Sequence, residues 1–307
     1  MSRVHTKLFP KTWDRSGFTL VEILVVITIM AVLISLSGGT YVLVMKTQRT
    51  KNTEALIRKL AKALQSQQSV FADQMKKKIH GDPSYLGWLN AAGGDHTLAF
   101  DLWMYTQIPQ EFPTNFATAS SISKYNAMLV AAGYPPKTLT PAFSQRSACL
   151  LMALTVNRGG QVFNPDTALE AGSVVSKDNP SINEIRDAWG NPLNFQWQVS
   201  RAAISNGGSG YKVNDVLIVQ GGTFSTEAQL RVTSVGTNGV ITGVEVVQPP
   251  SGAYSVLPGL PVNVAGVTGV TGTGATFWLY SVTPLISSDA GKGTGNAIIS
   301  STILQLQ

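Results

Sequence analysis

Cysteine is nearly missing from this chain of 307 residues, with Cys149 as its only copy. A single thiol excludes an intramolecular disulfide, so the folded part must be held by packing or by a metal. Cys149 lies in an apolar helical stretch, Ser147 to Leu154. This setting predicts a buried structural thiol and not a nucleophile.

Histidine is also scarce, with three residues in the whole chain. His96 has Asp82, Asp95 and Asp101 nearby in the sequence, but this loose group lacks the ligand spacing of a metal centre. No nucleophile, metal or cofactor set with catalytic spacing is present. We therefore expect the chain not to be an enzyme and to need no cofactor, apart from a calcium ion considered below.

Charged residues make up only 13% of the chain, and they are unevenly distributed. Thirteen Lys or Arg and four Asp or Glu lie between residues 1 and 78, so this segment carries +9, against a net charge of +6 for the whole chain. The remaining chain is slightly acidic. A basic surface for nucleic acid is therefore not indicated, and we expect no nucleic-acid partner.

A long apolar run occupies residues 18–45, and Glu22 is its only charged residue. A helix of this length, at about 1.5 Å per residue, exceeds the ~30 Å hydrocarbon core of a bilayer and is predicted to span it. A charge within a span costs roughly 2.5 to 3.5 kcal/mol, so Glu22 calls for a functional explanation. Basic residues flank both ends of the run, so charge counting does not set the orientation.

A cut after Gly17 would give Glu22 a partner. The new amine of Phe18 would lie one helical turn from the carboxylate, and the amine of a neighbouring copy could neutralise it as well. Two alternatives stay open at this point: an ordinary secretory signal peptide, whose apolar region is about 7 to 15 residues, and a plain anchor with an incidental glutamate.

The segment Gly17-Phe18-Thr19-Leu20-Val21-Glu22, behind a polar and basic leader, resembles the prepilin peptidase site of type IV pilins and type II secretion pseudopilins. The resemblance implies cleavage between Gly17 and Phe18, N-methylation of Phe18, and contact of Glu22 with the neighbouring N-terminus during assembly. It also implies a single-pass protein of the bacterial inner membrane, with a cytoplasmic leader and a periplasmic or extracytoplasmic head. The implied partners are prepilin peptidase, further copies in a filament, other pseudopilins and inner-membrane assembly proteins.

The apolar periodicity continues past the run, through Leu56, Leu60 and Leu64 to Met75, and predicts one helix from residue 18 to about residue 79. Gly38 and Gly39 cost this helix roughly 2 kcal/mol relative to alanine. Type IV pilins often have a proline here, and we predict that the glycine pair replaces it as the point that melts on assembly. A close contact between helices is the alternative.

Shorter helices are predicted after a stop at Gly81-Asp82-Pro83, at residues 98–105, 124–132 and 145–156, with Trp88, Trp103 and Phe112 in the core. A second motif follows, comprising Asp187, Trp189, Gly190, Asn191 and Pro192. Its glycine, asparagine and proline predict a tight turn, and Trp189 can fill the gap between helix and sheet.

This motif is similar to the element before the first head strand of major pseudopilins, and it favours a pseudopilin over a pilus-forming pilin. The C-terminal element that closes the head in that family comes later in this chain than the family would place it, at residues 284–295. Major pseudopilins commonly bind calcium there, but Asp289 is the only acid in this stretch. Calcium prefers six to eight oxygens, so the resemblance implies a calcium site that is lost or weak.

A glycine-rich and nearly uncharged insertion separates the two head elements, at residues 199–279. It contains an internal duplication, with residues 207–211, 216–219 and 228–232 in one repeat and residues 250–254, 260–264 and 275–279 in the other. Asn238-Gly239 predicts a hairpin turn. The unit resembles glycine-rich β repeats of phage tail fibres and bacterial surface proteins, which implies display or adhesion. Passive decoration of a filament is the alternative.

The fold class predicted from these observations is α+β. The chain divides into a prepilin leader (1–17), the transmembrane half (18–45) and the amphipathic half (46–80) of the long helix, and the first part of a pilin-like head (81–198). An inserted all-β module (199–279) and a closing head segment (280–307) follow.

Three functions are compatible with the sequence. The first is a pseudopilin whose filament drives protein secretion, and the second is a type IV pilin whose β module serves adhesion. The third, a single-pass enzyme or sensor, is the weakest, because no catalytic set was found.

Overall fold

The long N-terminal helix is the first element of the structure, a computed structural model that describes residues 19–133, 142–160, 162–176, 182–247, 252–289 and 299–300. Helix α1 comprises Leu20–Lys78, 59 residues, and its backbone is helical through Gly38 and Gly39. It ends in a 3₁₀ turn, Ile79–Gly81. The predicted single helix is confirmed, and melting at the glycine pair stays a prediction.

The chain divides into two compact units, residues 1–48 and residues 49–307. In the first unit, the described side chains from Leu20 to Ile34 and from Tyr41 to Val44 are exposed, and most are large and apolar. No helix within the described residues is both long enough and apolar enough to cross a membrane. The predicted span at residues 18–45 is therefore not found in this part of the chain.

Short helices dominate the first half of the second unit: α2 Pro83–Ala91, α3 His96–Glu111, α4 Phe116–Ser120, α5 Ser123–Ala131, α6 Ala142–Thr155 and α7 Pro165–Ala168. The three helices predicted from the sequence correspond to α3, α5 and α6. Asp82, Asp95 and Asn115 cap α2, α3 and α4, because their side chains accept amide hydrogens of the first turn.

The strands form two antiparallel sheets. A small one pairs β1 Val174–Ser176 with β2 Asn183–Ile185. The large one has the order β5-β8-β3-β10-β9-β4-β6-β7, with β11 beside β10. Its strands are β3 Asn194–Ser209, β4 Val216–Val219, β5 Thr223–Thr226, β6 Gln229–Val235, β7 Ile241–Val246, β8 Ala253–Val256, β9 Val262–Gly266, β10 Thr273–Ser288 and β11 Ile299–Ser300. A mixed fold of helices and antiparallel sheet is confirmed, and likeness of the head to pilins stays a prediction.

The centre of the large sheet is a ribbon of two 16-residue strands, β3 and β10, paired from Asn194 opposite Ser287 to Ser209 opposite Thr273. At about 3.3 Å per residue, the ribbon is about 50 Å long. The predicted boundaries of the β module, at residues 199 and 279, fall inside these strands. The module is thus joined to the head by continuous sheet, and its apolar side chains belong to the same hydrophobic cluster as those of the head.

The two predicted repeats of the module pair with each other, because β4 of the first repeat is antiparallel to β9 of the second. The amide of Ala228 in the first repeat donates to the Tyr254 hydroxyl of the second, 3.1 Å away. The amide of Ala275 in the second repeat donates to the Tyr211 hydroxyl of the first, 3.4 Å away. Each repeat therefore supplies the hydrogen-bond acceptor for the equivalent alanine of the other.

The predicted hairpin at Asn238-Gly239 connects β6 and β7 and is confirmed. Both turn residues have positive φ, 57° and 68°, which is the backbone that Asn-Gly favours. The turn also contacts the end of β3, where the Tyr211 amide donates to the Gly239 carbonyl over 3.0 Å. A Cβ at Gly239 would lie 2.7 Å from the Tyr211 nitrogen, so a larger residue does not fit.

The core of the head lies between α1, α3, α6 and the ribbon. One face of α1 is buried, and an aromatic chain leads from Phe71 through Phe112 to Trp197, with ring centroids 5.9 and 6.3 Å apart. Trp103 and Phe112 are fully buried and Trp88 packs partly buried against the cluster, as predicted. Cys149 is buried, and burial raises the pKa of its thiol, as expected for a structural cysteine.

A buried arginine ties four helices together. Arg158, whose side chain is 2% exposed, donates to Glu111 of α3 over 2.6 Å, and to Gln67 of α1. It also donates to the Tyr125 hydroxyl of α5 over 2.7 Å and to the Ala153 carbonyl of α6 over 2.5 Å. The guanidinium lies 4.2 Å from the centre of the Phe112 ring. Because its charge is fully surrounded by acceptors, Arg158 can be buried without leaving an unpaired group.

We predict that Arg158→Met lowers the free energy of unfolding by about 3 to 5 kcal/mol, since it removes the buried donor of Gln67 and of the Ala153 carbonyl and leaves Glu111 with Lys124 as its cation. Denaturant unfolding of the full chain in detergent measures the change. Arg231→Met is the matched control, because its ion pair with Glu245 is exposed and the loss should stay below about 1 kcal/mol. Equal losses in the two variants would contradict the prediction.

Candidate functional site

The first described residues form a capping box around Glu22. The Thr19 amide and hydroxyl both donate to Oε2 of Glu22, over 2.8 and 3.0 Å, and the Glu22 amide donates to the Thr19 hydroxyl over 3.2 Å. This arrangement satisfies donors at the start of α1, where the helix dipole also favours a negative charge. Sequence reasoning missed Thr19, although a threonine three residues before a glutamate is the signature of this cap.

The predicted cleavage site, Gly17 and Phe18, lies outside the described residues. Gly38 and Gly39 are in the helical part of α1, 16 and 17 residues after Glu22. At about 1.5 Å per residue, they lie about 24 Å along the helix from the carboxylate. Glu22 and the glycine pair, the two features of α1 predicted to act in assembly, are therefore well separated within one copy.

The second motif forms a closed turn around the carboxylate of Asp187. Oδ1 accepts the amides of Trp189 and Asn191, over 2.9 and 2.8 Å, and the Asp187 carbonyl accepts the Gly190 amide over 2.9 Å. The Asp187 amide in turn donates to the Asn191 carbonyl over 2.8 Å. Gly190 has a φ of 86°, which a glycine adopts without strain. Pro192 follows in an isolated bridge to Arg186.

This turn joins three distant parts of the chain. Oδ2 of Asp187 accepts the Ser288 hydroxyl over 2.6 Å, and the Asn191 side chain donates to Asp289 over 3.3 Å, both at the end of β10. The Ala188 amide donates to the hydroxyl of Thr53 in α1 over 3.1 Å. The two head elements on either side of the β module are thus in direct contact.

Trp189 is half-buried and packs against the main hydrophobic cluster, which agrees with its predicted role as a filler. Beside the turn is a cleft of about 420 Å³, lined by α1 residues from Asn52 to Lys59, by residues 168–173 and by the turn itself. Arg186 lines it, and its guanidinium is held by Glu184 and the Gly190 carbonyl.

The weak calcium site at Asp289 stays a prediction. Both carboxylate oxygens of Asp187 accept hydrogen bonds, and Oδ1 of Asp289 accepts from Asn191. Within the described ranges, no group of three or more His, Cys, Asp or Glu is placed to hold a metal ion. Calcium needs six to eight oxygens, and these two carboxylates fall short of that number. Residues 290–298 of the predicted closing loop lie outside the description.

Comparison with known proteins adds one finding. The prokaryotic N-terminal methylation motif matches residues 14–38 and includes Gly17, Phe18, Glu22 and Gly38. This motif is typical of type IV pilin and pseudopilin precursors, which prepilin peptidase processes. No curated protein and no solved structure matched the chain.

We predict that Asp187→Ala destabilises the chain by about 2 to 4 kcal/mol, because the two backbone amides and the Ser288 hydroxyl lose their acceptor. Asp187→Asn keeps one carbonyl oxygen for the amides and should cost less. Denaturant unfolding of the full chain, followed by limited proteolysis near residue 190, measures both. A loss as small for Ala as for Asn would refute the role of the carboxylate.

Proposed function

We propose that this chain is a pseudopilin, a structural subunit that prepilin peptidase processes and that assembles through its N-terminal helix into a type II secretion-type filament. The observation that carries the proposal is the methylation motif at residues 14–38, which overlaps the start of the 59-residue helix α1. A long helix behind such a motif is what a filament built on N-terminal helices requires.

The exposed apolar side chains of α1 support assembly. Between Leu20 and Ile34 the large apolar residues are 50% to 83% exposed in the single chain. A helix that is apolar all round is stable only when lipid or neighbouring helices cover it. In our proposal the inner membrane covers this segment before assembly, and the helices of neighbouring copies cover it afterwards.

Glu22 would then direct the assembly. In an apolar environment its carboxylate needs compensation beyond the Thr19 donors, and cleavage at Gly17 supplies the amine of Phe18. The amine of an incoming copy meets the same need. The Asp187 turn, with its contact to the end of β10, favours a pseudopilin among the pilin-like families.

A type IV pilin is the second candidate, and the β module is the observation that favours it. The module continues a ribbon about 50 Å long, and its edge strand β5 is exposed, as display on a fibre would require. Immunogold labelling of intact cells distinguishes the two candidates. Filaments outside the cell would favour the pilin, and their absence with impaired secretion of a folded protein favours the pseudopilin.

Processing is tested by mass spectrometry of the protein extracted from membranes of its native host. We expect a mature chain that begins with N-methylated Phe18. A host without prepilin peptidase is the control and should yield the uncleaved chain. An intact leader in the native host, or a new terminus near Gly38, would refute the proposal.

Assembly is tested by Glu22→Ala. We expect normal cleavage, since the peptidase site is kept, but at least tenfold fewer filaments, because the attraction between carboxylate and amine is lost. Glu54→Ala, which removes a carboxylate from the same helix within the second unit, is the matched control and should assemble normally. Quantitative electron microscopy of sheared material measures both, and normal filament numbers for Glu22→Ala would exclude the pairing.

A further inference from the structure

A pair of half-buried tryptophans joins α2 to the ribbon. Trp88 of α2 packs edge to face with Trp278 of β10, with ring centroids 5.9 Å apart and ring planes at 85°. Trp88 also packs against the main hydrophobic cluster, whereas Trp278 is not among the described residues of that cluster. Both indoles are partly exposed. Trp278 is therefore held in place by Trp88 while part of its surface stays open to solvent.

The register of the ribbon adds two polar side chains to the same face. Trp278 lies opposite Ala203, and Tyr280 lies opposite Arg201. Directly opposite residues of an antiparallel pair point to the same side of the sheet, and so do residues two apart in one strand. The intervening Leu279 is fully buried on the other side. Trp278, Tyr280 and Arg201 therefore share one face, with the two aromatic residues about 7 Å apart along the strand.

Asp101 of α3 is half-buried and lies near this face. Burial raises the pKa of its carboxyl group, the charge of Arg201 lowers the pKa, and the charge of Asp95 raises it. Arg201 is thus close enough to act on Asp101, but neither residue takes part in an ion pair within the described ranges. A carboxylate and a guanidinium that are near each other without direct contact are both free to bind the same ligand.

The polar groups at this place also lack hydrogen-bond partners. In the part of the chain that the structure describes, no hydrogen bond involves the two indole N–H groups, the Tyr280 hydroxyl, the Arg201 guanidinium or the Asp101 carboxylate. Arg201 is exposed, and the polar atoms of the other residues are not among those buried without a partner, so all of them keep contact with water. By contrast, the indole N–H of the buried Trp103 donates to Ser84 over 2.9 Å. We call the group the aromatic site, which consists of Trp88, Asp101, Arg201, Trp278 and Tyr280.

The chemistry of the aromatic site fits a sugar ring. An aromatic cage for an ammonium group needs a gap between ring faces, but Trp88 and Trp278 contact each other. A pyranose has C–H groups on the face of its ring and hydroxyl groups around its rim. The C–H face can pack on a partly exposed indole, while the hydroxyls accept hydrogen bonds from the free N–H and O–H donors and donate to the carboxylate. We propose that the aromatic site binds pyranose units of a glycan.

This inference goes beyond the proposed function and does not require it, because one copy of the chain carries all the residues of the aromatic site. In the proposed filament the site recurs in every copy. Several copies can then bind one polysaccharide, and many weak contacts add up to firm attachment. The glycan strands of the cell wall and polysaccharides outside the cell both offer pyranose rings, so the experiment includes a probe for each source.

The test is titration calorimetry of the purified full chain in a polyoxyethylene detergent, which has no sugar group to compete. Chitotetraose represents the amino sugars of the cell wall, cellotetraose represents external glucans, and sorbitol supplies hydroxyls without a ring. We expect at least one tetraose to bind and sorbitol not to bind. Trp278→Ala removes the stacking surface and Arg201→Gln removes a charged donor, so each should weaken binding by about tenfold or more.

Two matched controls remove the same kinds of side chain elsewhere. Phe224→Ala deletes an exposed aromatic ring and Arg231→Gln an exposed guanidinium, and both should bind the tetraose as the native chain does. Arg201→Gln keeps the test decisive if Trp278→Ala folds poorly, because the Arg201 side chain has no ion-pair partner among the described residues to lose.

Several outcomes would overturn the glycan site. Neither tetraose binds, sorbitol binds equally well, both site variants bind like the native chain, or the controls lose as much affinity as the site variants. Binding of tetramethylammonium in place of a tetraose, abolished by Trp278→Ala, would assign the aromatic site to a cation. None of these results bears on the proposed function, because processing and filament assembly are measured separately.

Discussion

The antiparallel pairing of β3 with β10 is the interaction on which the second unit depends. The ribbon places the Asp187 turn at its start beside Ser288 at its end, although 101 residues separate them in the chain. At its other end the same two strands carry the β module. The head can therefore close around residues from both sides of the insertion, because the extra chain leaves and returns on neighbouring strands.

Local patterns were sufficient to predict several elements. The leucine spacing of α1, the Asn238-Gly239 turn and the strand Val216–Val219 each depend on neighbours within a few residues, and each is found in the structure. The Asp187 turn belongs to the same class, since its glycine and proline determine the backbone locally.

Other features could not be predicted, because they depend on contacts between distant parts of the chain. The periodicity of Asn194–Ser209 does not show that this strand pairs with β10 over its whole length. Arg158 looks like any surface arginine in the sequence, and only the packing of α1, α3, α5 and α6 surrounds it with acceptors. The boundaries of the β module that composition predicts, at residues 199 and 279, therefore fall within the continuous strands β3 and β10.

The chain has few charged residues, and their positions indicate two different roles, one in the core and one on the surface. Arg158 is buried and, with the half-buried Glu111, holds helices together, whereas Lys51, Lys59 and Lys62 of α1 are exposed and lie outside the core. Glu22 stands between these cases. Its carboxylate caps α1 in the single chain through Thr19, and in an oily environment it can attract an ammonium group as well.

The two repeats of the β module pair like the halves of a dimer, because Tyr211 of the first repeat and Tyr254 of the second each accept an amide hydrogen bond from the other repeat. Either repeat by itself would have an alanine amide without its acceptor and an unpaired strand edge, which are the features that drive two identical chains together. A single repeat made as a separate molecule would present both features to a second copy. Because both repeats belong to one polypeptide, their pairing does not depend on concentration. The outer faces of the two repeats can therefore differ in sequence, while the residues at the contact between the repeats are constrained.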